Sequence, residues 1–316
     1  MRLARGISVV VPVYNSESIL PKLIERLEPV LARLAYEYEV VLVNDSSRDR
    51  SWSVIQELSH SLPWVRGINL MRNYGQHNAL LCGIRAARFD TLVTMDDDLQ
   101  HPPEEINKLV AKLEEGFDVV YGFPEREPHG VLRGLASGLT KLALQKSMGA
   151  ETARHVSAFR AFRTHARDAF TNYQSPFVSI DVVLTWATTR FVAIQVRHDP
   201  RREGLSNYTF AMLFRHAMNM MTGFSTLPLQ LANLMGFLCT AFGGVILAFV
   251  VGRYLLYGTT VPGFTFLASI IVIFSGAQLL ALGIMGEYLA RMHFRTMERP
   301  TYTVREEVAS HHEVTV

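Results

Sequence analysis

Cysteine is scarce in this chain of 316 residues, which has only Cys82 and Cys239. Two cysteines exclude a disulfide scaffold, and their separation matches no metal-binding motif. An excess of one charge is also missing, because 31 Lys and Arg against 29 Asp and Glu leave a net charge of +2. A near-neutral chain that is 49% hydrophobic is neither disordered nor a dedicated nucleic-acid binder, so no nucleic-acid partner is expected.

Charged side chains are absent from two long stretches in the last third of the chain. No Asp, Glu, Lys or Arg occurs in residues 216–252 or 254–286, and a single arginine separates the two stretches. A membrane-spanning helix needs about 20 apolar residues. We therefore predict two membrane-spanning helices, at about residues 229–252 and 264–287. The alternative is a buried hairpin of a soluble protein, in which each helix would show a polar face.

The charges that flank these helices indicate an orientation. Several basic residues precede the first helix and follow the second, whereas only one lies near the turn between them. The positive-inside rule then puts both termini in the cytoplasm. We expect a two-span membrane protein, in the plasma (inner) membrane if the source is bacterial. Residues 1–208 would form a cytoplasmic domain, 209–228 an amphipathic helix at the membrane surface, 229–290 the two spans and 291–316 a cytoplasmic tail.

Small residues recur at every fourth position of the first predicted span, namely Gly236, Thr240, Gly244, Ala248 and Gly252. Such a stripe lets helix backbones approach closely. We expect it to pack against the second span or against another copy of the chain. In this membrane setting we expect a homo-oligomer, with a tetramer as the specific expectation.

The first 208 residues show alternating strand and helix patterns. Runs rich in Val, Ile and Leu predict strands at residues 7–14, 39–44, 65–70, 91–95 and 118–121. Helices are predicted between them, the first capped by Ser16 or Ser18 and ending near Leu34. This alternation predicts an α/β fold with a mostly parallel, Rossmann-like sheet. Such sheets bind their ligands beyond the carboxyl ends of the strands.

Acidic residues gather where the predicted strands end. Asp96, Asp97 and Asp98 follow the fourth strand directly, and Asp45 follows the second. A single Asp at such a place is a turn former. Three in a row beside a fourth indicate a hard divalent cation, Mg²⁺ or Mn²⁺. Because Mg²⁺ in proteins is held by one or two carboxylates together with substrate phosphates, we expect a ligand that carries a diphosphate.

Several well-known catalytic motifs are missing from the sequence. There is no GxxxxGK[ST] loop and no GxGxxG after the first strand, so neither a P-loop NTPase nor a standard dinucleotide-binding fold is supported. No Ser-His-Asp or Cys-His set is evident either. Contacts to a nucleotide are therefore expected from the strand ends themselves.

Four short segments follow one another in the first 104 residues: Val11-Pro-Val-Tyr-Asn15, Asn44-Asp-Ser-Ser-Arg-Asp49, Arg72-Asn-Tyr-Gly-Gln76 and Asp96-Asp-Asp-Leu-Gln-His-Pro-Pro-Glu104. These segments resemble the family 2 glycosyltransferases of the GT-A fold. With the two predicted spans, this ordered set is similar to the polyprenyl-phosphate glycosyltransferases, which include dolichyl-phosphate mannose synthase and bacterial undecaprenyl-phosphate glucosyltransferases. The resemblance covers nearly the whole chain.

The resemblance implies a role for individual residues. The nucleotide-sugar site would comprise Pro12, Tyr14, Asn15, Asp45, Gln76, Asp96, Arg201 and Ser206. Mg²⁺ or Mn²⁺ would be held by Asp98, Gln100 and Asp96. The acceptor phosphate would meet Arg126, Arg133 and Ser137. Catalysis would depend on Asp96, Asp98 and Arg201.

Two positions depart from the pattern of this family. Ser16 stands where Glu is usual, and Asn44-Asp45-Ser46 stands where Asp-Asp-Gly is usual. The second departure leaves one carboxylate at that strand end, so the identity of the bound base stays open. Asp181, which follows Ser179-Ile180, is a further candidate to face the acceptor.

The implied activity is transfer of a hexose from a nucleotide-diphosphate sugar to a polyprenyl phosphate of undecaprenyl type, by metal-assisted displacement with inversion. The phosphate of the lipid is largely anionic at neutral pH, so it needs no strong general base. UDP-glucose is the expected donor, and GDP-mannose stays open. So do two different functions: a processive polysaccharide synthase, although the QxxRW element of that class is missing, and a membrane-anchored nucleotide-sugar binder without activity.

Overall fold

The computed structural model describes residues 3–124, 155–171, 173, 178–199, 227–258, 263–297 and 300–309. The chain divides into two compact units. One unit comprises Met1–Leu213 together with Glu298–Val316, and the other comprises Phe214–Met297. The first unit therefore contains the segments that precede and follow the second unit in the sequence.

The first unit contains strands and helices in alternation. Its strands are β1 (Ala4–Val13), β2 (Ala35–Asn44), β3 (Val65–Leu70), β4 (Thr91–Thr94), β5 (Val119–Pro124), β6 (Arg160–Arg163), β7 (Phe191–Val196) and β8 (Val304–Ala309). Its helices are α1 (Leu20–Leu34), α2 (Ser51–Ser61), α3 (Gln76–Ala86), α4 (Ile106–Glu114), α5 (Asp168–Thr171) and α6 (Ile180–Ala187). Short 3₁₀ turns, Pro103–Glu105 and Thr164–Arg167, precede α4 and α5.

All of these strands form one sheet in the order β7-β5-β6-β4-β1-β2-β3-β8. β1 pairs in parallel with β2 and β4, as do β2 with β3 and β5 with β7. β6 is antiparallel to both β4 and β5, and β8 is antiparallel to β3. The predicted α/β fold with a mostly parallel sheet is thus confirmed. The sequence analysis did not predict the two antiparallel strands, of which β6 is short and β8 follows the apolar helices, within the expected tail.

The centre of the sheet is β1, whose apolar run is buried on both faces. Val9, Val10 and Val11 have no exposed surface. Val9 and Val11 belong to the core that contains the apolar residues of α1 and α4. Val10 points to the opposite face and meets Gly83 of α3, where an added Cβ would lie 2.3 Å from a Val10 methyl carbon. Gly83 therefore allows α3 to lie close against the sheet.

α1 begins without the predicted serine cap. The residue at its N-cap is Ile19, and no side chain there binds the free amides of the first turn. The carbonyl oxygen of Ser16 accepts from the amides of Ile19 and Leu20 at 3.0 and 3.2 Å. The Ser16 hydroxyl donates instead to Asp97, at 2.5 Å. The predicted cap at Ser16 is therefore wrong, because the Ser16 hydroxyl donates to a carboxylate distant in sequence.

A buried ion pair joins β6 to α6. Arg160 is 1% exposed; its guanidinium forms an ion pair with Oδ1 of Asp181 and donates through Nε to the Thr94 hydroxyl at 3.1 Å. The Tyr121 hydroxyl donates to the same Asp181 oxygen at 3.0 Å. Burial raises the pKa of Tyr121 well above its ordinary value, so this hydroxyl stays a donor. Oδ1 of Asp181 is thus used within the fold, and the expectation that Asp181 faces the acceptor stays a prediction.

The second unit consists, in its described part, of α7 (Leu227–Tyr257) and α8 (Phe264–Thr296). Both helices are long and apolar enough to cross a membrane, over Pro228–Tyr257 and Ile273–His293. They pack where Gly243 meets the Phe274 ring, which would lie 2.9 Å from an added Cβ. No described atom lies within 4 Å of a Cβ built at Gly236, Gly244 or Gly252. The described α7–α8 contacts therefore use a different glycine from the predicted stripe, and packing against another copy stays a prediction.

The helix bounds differ from the predicted segments at both ends of this unit. α8 continues to Thr296, where Arg291 pairs with Glu287 one turn earlier at 2.9 Å. Of the predicted amphipathic helix 209–228, only residues 227 and 228 lie within the described residues, and both belong to α7. Of the predicted tail 291–316, the first residues extend α8, and Val304–Ala309 is a strand of the sheet.

We predict that Asp181→Ala lowers the free energy of unfolding by about 3–5 kcal/mol, because it leaves the buried Arg160 charge without its partner. The measurement is chemical denaturation of the purified protein. The matched control is Glu104→Ala, which removes the partly exposed pair with Arg26 and should cost about 1 kcal/mol or less. The double variant Arg160→Met with Asp181→Leu should recover much of the loss. Equal losses for the two single variants would contradict the prediction.

Candidate active site

A cavity of about 430 Å³ lies at the carboxyl ends of β1, β2 and β4 and at the loop between β3 and α3. It is lined by Pro12, Val13, Tyr14, Asp45, Asn73, Gly75, Gln76, Asp96, Asp97, Asp98 and Gln100. These positions agree with the rule that open α/β sheets bind ligands beyond their strand ends. The cavity thus brings together every described residue that the sequence analysis assigned to donor or metal, except Asn15.

The loops after β1 and β2 are tied to each other. Asn15 is in a left-handed backbone conformation, with φ of 56°, and so is Ser46, also with φ of 56°. The Asn15 amide donates to the Ser47 hydroxyl at 3.0 Å, and the Asn15 side-chain oxygen accepts from the Arg48 amide at 2.8 Å. Asn15 therefore holds the two loops together, and its predicted contact with the nucleotide sugar stays a prediction.

Asp45 shapes the wall of the cavity. Its side chain is almost fully buried, and its two oxygens accept from the amides of Tyr74 and Gly75 at 2.7 and 2.8 Å. Burial raises the pKa of Asp45, and the two amides oppose that rise. Gly75 has a φ of 89°, which a residue with a Cβ rarely adopts. Asp45 thus fixes the β3–α3 loop, and any contact with a base would be additional to these two bonds.

Asn44 holds the end of β2 against β3. Its amide nitrogen donates to the side-chain oxygen of Asn69 at 2.9 Å, and its own oxygen accepts from the Ser47 hydroxyl at 2.6 Å. The Asp that is usual at this position could not donate to Asn69. The departure at residue 44 therefore belongs to a pair of amides that spans two strands.

The three consecutive carboxylates after β4 have three different partners. Oδ1 of Asp96 accepts from the side-chain amide of Gln76 at 2.6 Å, and Oδ1 of Asp98 accepts from the amide of Gln100 at 3.1 Å. Asp97 accepts from the Ser16 hydroxyl at 2.5 Å. Leu99, next in the chain, is left-handed with a φ of 58°. The loop conformation therefore separates three side chains that would otherwise repel one another.

The surroundings of Asp97 disfavour its negative charge. Burial raises the pKa of Asp97 to about 6, and the negative charge of Asp98 adds to the rise. Hydrogen bonds from the Ser16 hydroxyl and the Tyr14 amide act in the opposite direction. Ser16 thus contacts a carboxylate of the site, whereas the sequence indicated only a departure from the family pattern and a possible helix cap. Its signal was the absence of the usual Glu beside an acidic cluster.

The oxygen atoms around the cavity suit a divalent cation whose coordination shell is completed by water and the bound substrate. Asp96, Asp98 and Gln100 supply oxygen atoms to one cavity. Within the described ranges, no three His, Cys, Asp or Glu side chains converge as a preformed cage. Mg²⁺ in proteins takes one or two carboxylates and fills its other positions with water and substrate phosphates. These residues therefore fit such an ion.

The segment after β7 meets the acidic loop. The amide of Asp199 donates to the carbonyl oxygen of Gln100 at 2.8 Å. His198 lies edge-on to His101 with ring centroids 5.0 Å apart, and His101 stacks on Phe159 at 5.1 Å. Burial, together with His198, lowers the pKa of His101 to about 4, so its ring is neutral at physiological pH. Asp199, which contacts Gln100, precedes Arg201 by two residues in the sequence.

Five of the predicted site residues lie outside the described residues. They are Arg126, Arg133, Ser137, Arg201 and Ser206. Their roles stay predictions.

The comparisons with known proteins decide the family. The profile of "Glycosyl transferase family 2" matches residues 8–169, which cover β1 to α5 and the whole acidic loop. The chain belongs to glycosyl transferase family 2. The resemblance stated from the sequence motifs is thereby confirmed, and the protein is a glycosyltransferase.

Two relatives in this family match along almost their full length. The undecaprenyl-phosphate 4-deoxy-4-formamido-L-arabinose transferase of Shewanella sediminis (strain HAW-EB3) is 36% identical, with 95% of this chain and 92% of the relative covered. The protein of the same name from Pseudomonas fluorescens (strain Pf0-1) is 34% identical, with 96% and 91% covered. The similarity therefore extends through both apolar helices.

A solved structure shares the fold of this glycosyltransferase. Glucosyl-3-phosphoglycerate synthase from Mycobacterium tuberculosis, in complex with Mn²⁺, uridine diphosphate and glucosyl-3-phosphoglycerate, has a TM-score of 0.52 and 19% identity. The match covers 69% of this chain and 78% of that chain. At this identity the comparison supports the GT-A fold alone.

We predict that Ser16→Ala lowers the free energy of unfolding by about 1–3 kcal/mol, because the partly buried Asp97 carboxylate loses a charged hydrogen bond. Urea denaturation of the purified protein measures the change. The control Ser53→Ala removes an exposed serine of α2 and should stay within about 0.5 kcal/mol of the parent protein. In an Asp97→Asn background, Ser16→Ala should cost less, and an unchanged cost there would show that the bond to Asp97 is not the cause.

Proposed function

We propose that this glycosyltransferase moves a sugar from a nucleotide-diphosphate sugar to a polyprenyl phosphate of the undecaprenyl type. The observation that carries the proposal is the meeting of Asp96, Asp98 and Gln100 with Tyr14 and Asp45 around one cavity at the strand ends. A bound nucleotide-diphosphate sugar needs residues that contact the nucleoside and residues that hold a cation beside the diphosphate. The full-length similarity to relatives named for transfer to undecaprenyl phosphate supports the acceptor.

Asp98, Asp96 and Gln100 would hold Mg²⁺ or Mn²⁺. Once bound, the cation would supply positive charge to the departing diphosphate. On the protein's side, Gln76 orients Asp96 through its amide, and the amide of Gln100 holds Asp98. Because both carboxylates are already positioned, little reorganisation is needed when the donor binds.

The reacting groups explain why the site needs no general base. A non-bridging oxygen of the lipid phosphate, already anionic, attacks C1 of the sugar. The new bond joins that oxygen to C1, while the bond from C1 to the diphosphate breaks and the nucleoside diphosphate leaves with its electron pair. A single displacement inverts the configuration at C1. Arg126, Arg133 and Ser137 are proposed to bind the acceptor phosphate, and Arg201 and Ser206 to bind the donor diphosphate.

The lipid acceptor agrees with the two apolar helices. α7 and α8 each contain a segment that can cross a hydrocarbon core of about 30 Å. We propose that they anchor the enzyme as a hairpin, with the sheet-containing unit and both termini in the cytoplasm, where nucleotide sugars are available. The proposed membrane is the bacterial plasma membrane.

The names of the relatives guide the choice of sugar. Their printed activity concerns 4-deoxy-4-formamido-L-arabinose, so the comparisons do not support glucose in particular. We propose a uridine diphosphate donor and place 4-deoxy-4-formamido-L-arabinose first among the sugars to test. Glucose, expected from the sequence, comes second, and GDP-mannose tests the base.

We predict that the purified enzyme, with undecaprenyl phosphate and Mg²⁺ or Mn²⁺, converts one of these radiolabelled donors into an organic-extractable product. Removal of the metal with EDTA should abolish the product. Asp98→Asn should lower the rate by about 100-fold or more, because the cation loses a charged ligand. The matched control is Asp90→Asn, which changes an exposed Asp just before β4, at the opposite end of the same strand.

The outcomes distinguish a transferase from a binding protein and from a processive synthase. No product from any donor with either metal would overturn the proposed function. Binding of a nucleotide sugar without transfer would favour a binding protein, and products longer than one sugar would favour a processive synthase. Equal rates for Asp98→Asn and Asp90→Asn would remove Asp98 from the metal site.

A further inference from the structure

β8 extends the sheet beyond β3, although it follows the apolar helices in the chain. It pairs antiparallel with β3 from Arg66 opposite Ala309 to Leu70 opposite Val304. The pairing continues past the strand itself, because the amide of Met71 donates to a carbonyl oxygen, that of Thr303, at 2.9 Å. The C-terminal segment thus holds Met71, the first residue after β3.

The residue beside Thr303 contacts the helix on the other side of that loop. The Tyr302 ring lies against α3, with its centroid 5.7 Å from the guanidinium carbon of Arg85. The same guanidinium donates to the carbonyl oxygen of Phe170 at 2.6 Å, so its position is fixed from a second side. Thr301 is buried. Residues 301–303 therefore hold the end of β3 and the body of α3 at the same time.

The loop between these two elements, residues 71–75, forms one wall of the active-site cavity. Asn73 and Gly75 line the cavity. The amides of Tyr74 and Gly75 bind both oxygens of Asp45, and Gln76, directly after the loop, binds Asp96. The conformation of this loop therefore determines where two carboxylates of the site lie.

We propose that residues 301–309 are a positioning element of the donor site. They lie outside the cavity lining and act through loop 71–75, which they keep in the conformation that presents Asp45 and Asp96 to the donor. The identity of that donor rests on the proposed function, whereas the contacts between the segment and the loop do not.

The test compares Tyr302→Ala with Tyr36→Ala in the full-length enzyme. Tyr36 lies on β2 of the same sheet and is 70% exposed, so its replacement removes a tyrosine without disturbing the loop. Hydrogen–deuterium exchange of peptides that cover residues 71–76 reports on the loop directly. The dissociation constant of UDP with Mn²⁺ and the separate values of KM and kcat report on the site.

In Tyr302→Ala we expect faster exchange at residues 71–76, and about tenfold increases in the donor KM and the UDP dissociation constant, with kcat changed by less than about twofold. Tyr36→Ala should match the parent enzyme in every measurement. Tyr302→Phe keeps the ring against Arg85 and should therefore stay close to the parent enzyme. If Tyr302→Ala does not fold, Tyr302→Leu replaces it with the same expectations.

Unchanged exchange at residues 71–76 in Tyr302→Ala would overturn the inference, and so would a fall in kcat with an unchanged donor KM. Neither result depends on the sugar being identified correctly. If the parent enzyme transfers no sugar, the proposed function fails, and the exchange measurement still decides whether residues 301–309 hold the loop.

Discussion

Mutual repulsion among carboxylates is the constraint on which this site depends. Asp45, Asp96, Asp97 and Asp98 line a single cavity, so each negative charge needs a donor close at hand. The donors come from four different loops or helix starts: the Tyr74 and Gly75 amides, the Gln76 side chain, the Ser16 hydroxyl and the Gln100 amide. The hydrogen bonds to the carboxylates hold these loops in one conformation. A cation placed among the carboxylates would reduce the remaining repulsion between them.

The loops reach that arrangement at a cost in backbone conformation. Asn15, Ser46 and Leu99 all have a positive φ, a conformation that carries a penalty for residues with a Cβ, and each lies just after a strand that leads to the cavity. Hydrogen bonds between loops offset the cost, as when Asn15 binds the Arg48 amide. The site thus depends both on the strand ends, which bring the loops together, and on the left-handed residues that let each loop turn there.

Local patterns predicted the parts of the structure that local forces determine. The strand at 65–70 lies where the apolar run indicated, and the acidic loop after β4 lies at the cavity because a parallel sheet brings its carboxyl ends to one edge. Contacts between distant segments left no comparable pattern. The Ser16 hydroxyl donates to Asp97, 81 residues away, rather than to the nearby helix start, and Asp181 of α6 forms an ion pair with Arg160 of β6. β8 was missed because three consecutive charged residues stand between Val304 and Val308, so the segment shows no apolar strand pattern of its own.

The antiparallel pairing of β5 with β6 brings together the described residues that flank the stretch 125–154. β5 ends at Pro124, and the described chain resumes at His155, whose ring lies 3.9 Å from that of Phe123. The amide of Gly122 also donates to the carbonyl oxygen of Phe159 at 2.9 Å. The described residues on either side of this stretch are thus in contact with each other. A stretch whose ends adjoin can change in length and composition during evolution while the strands on either side keep their register.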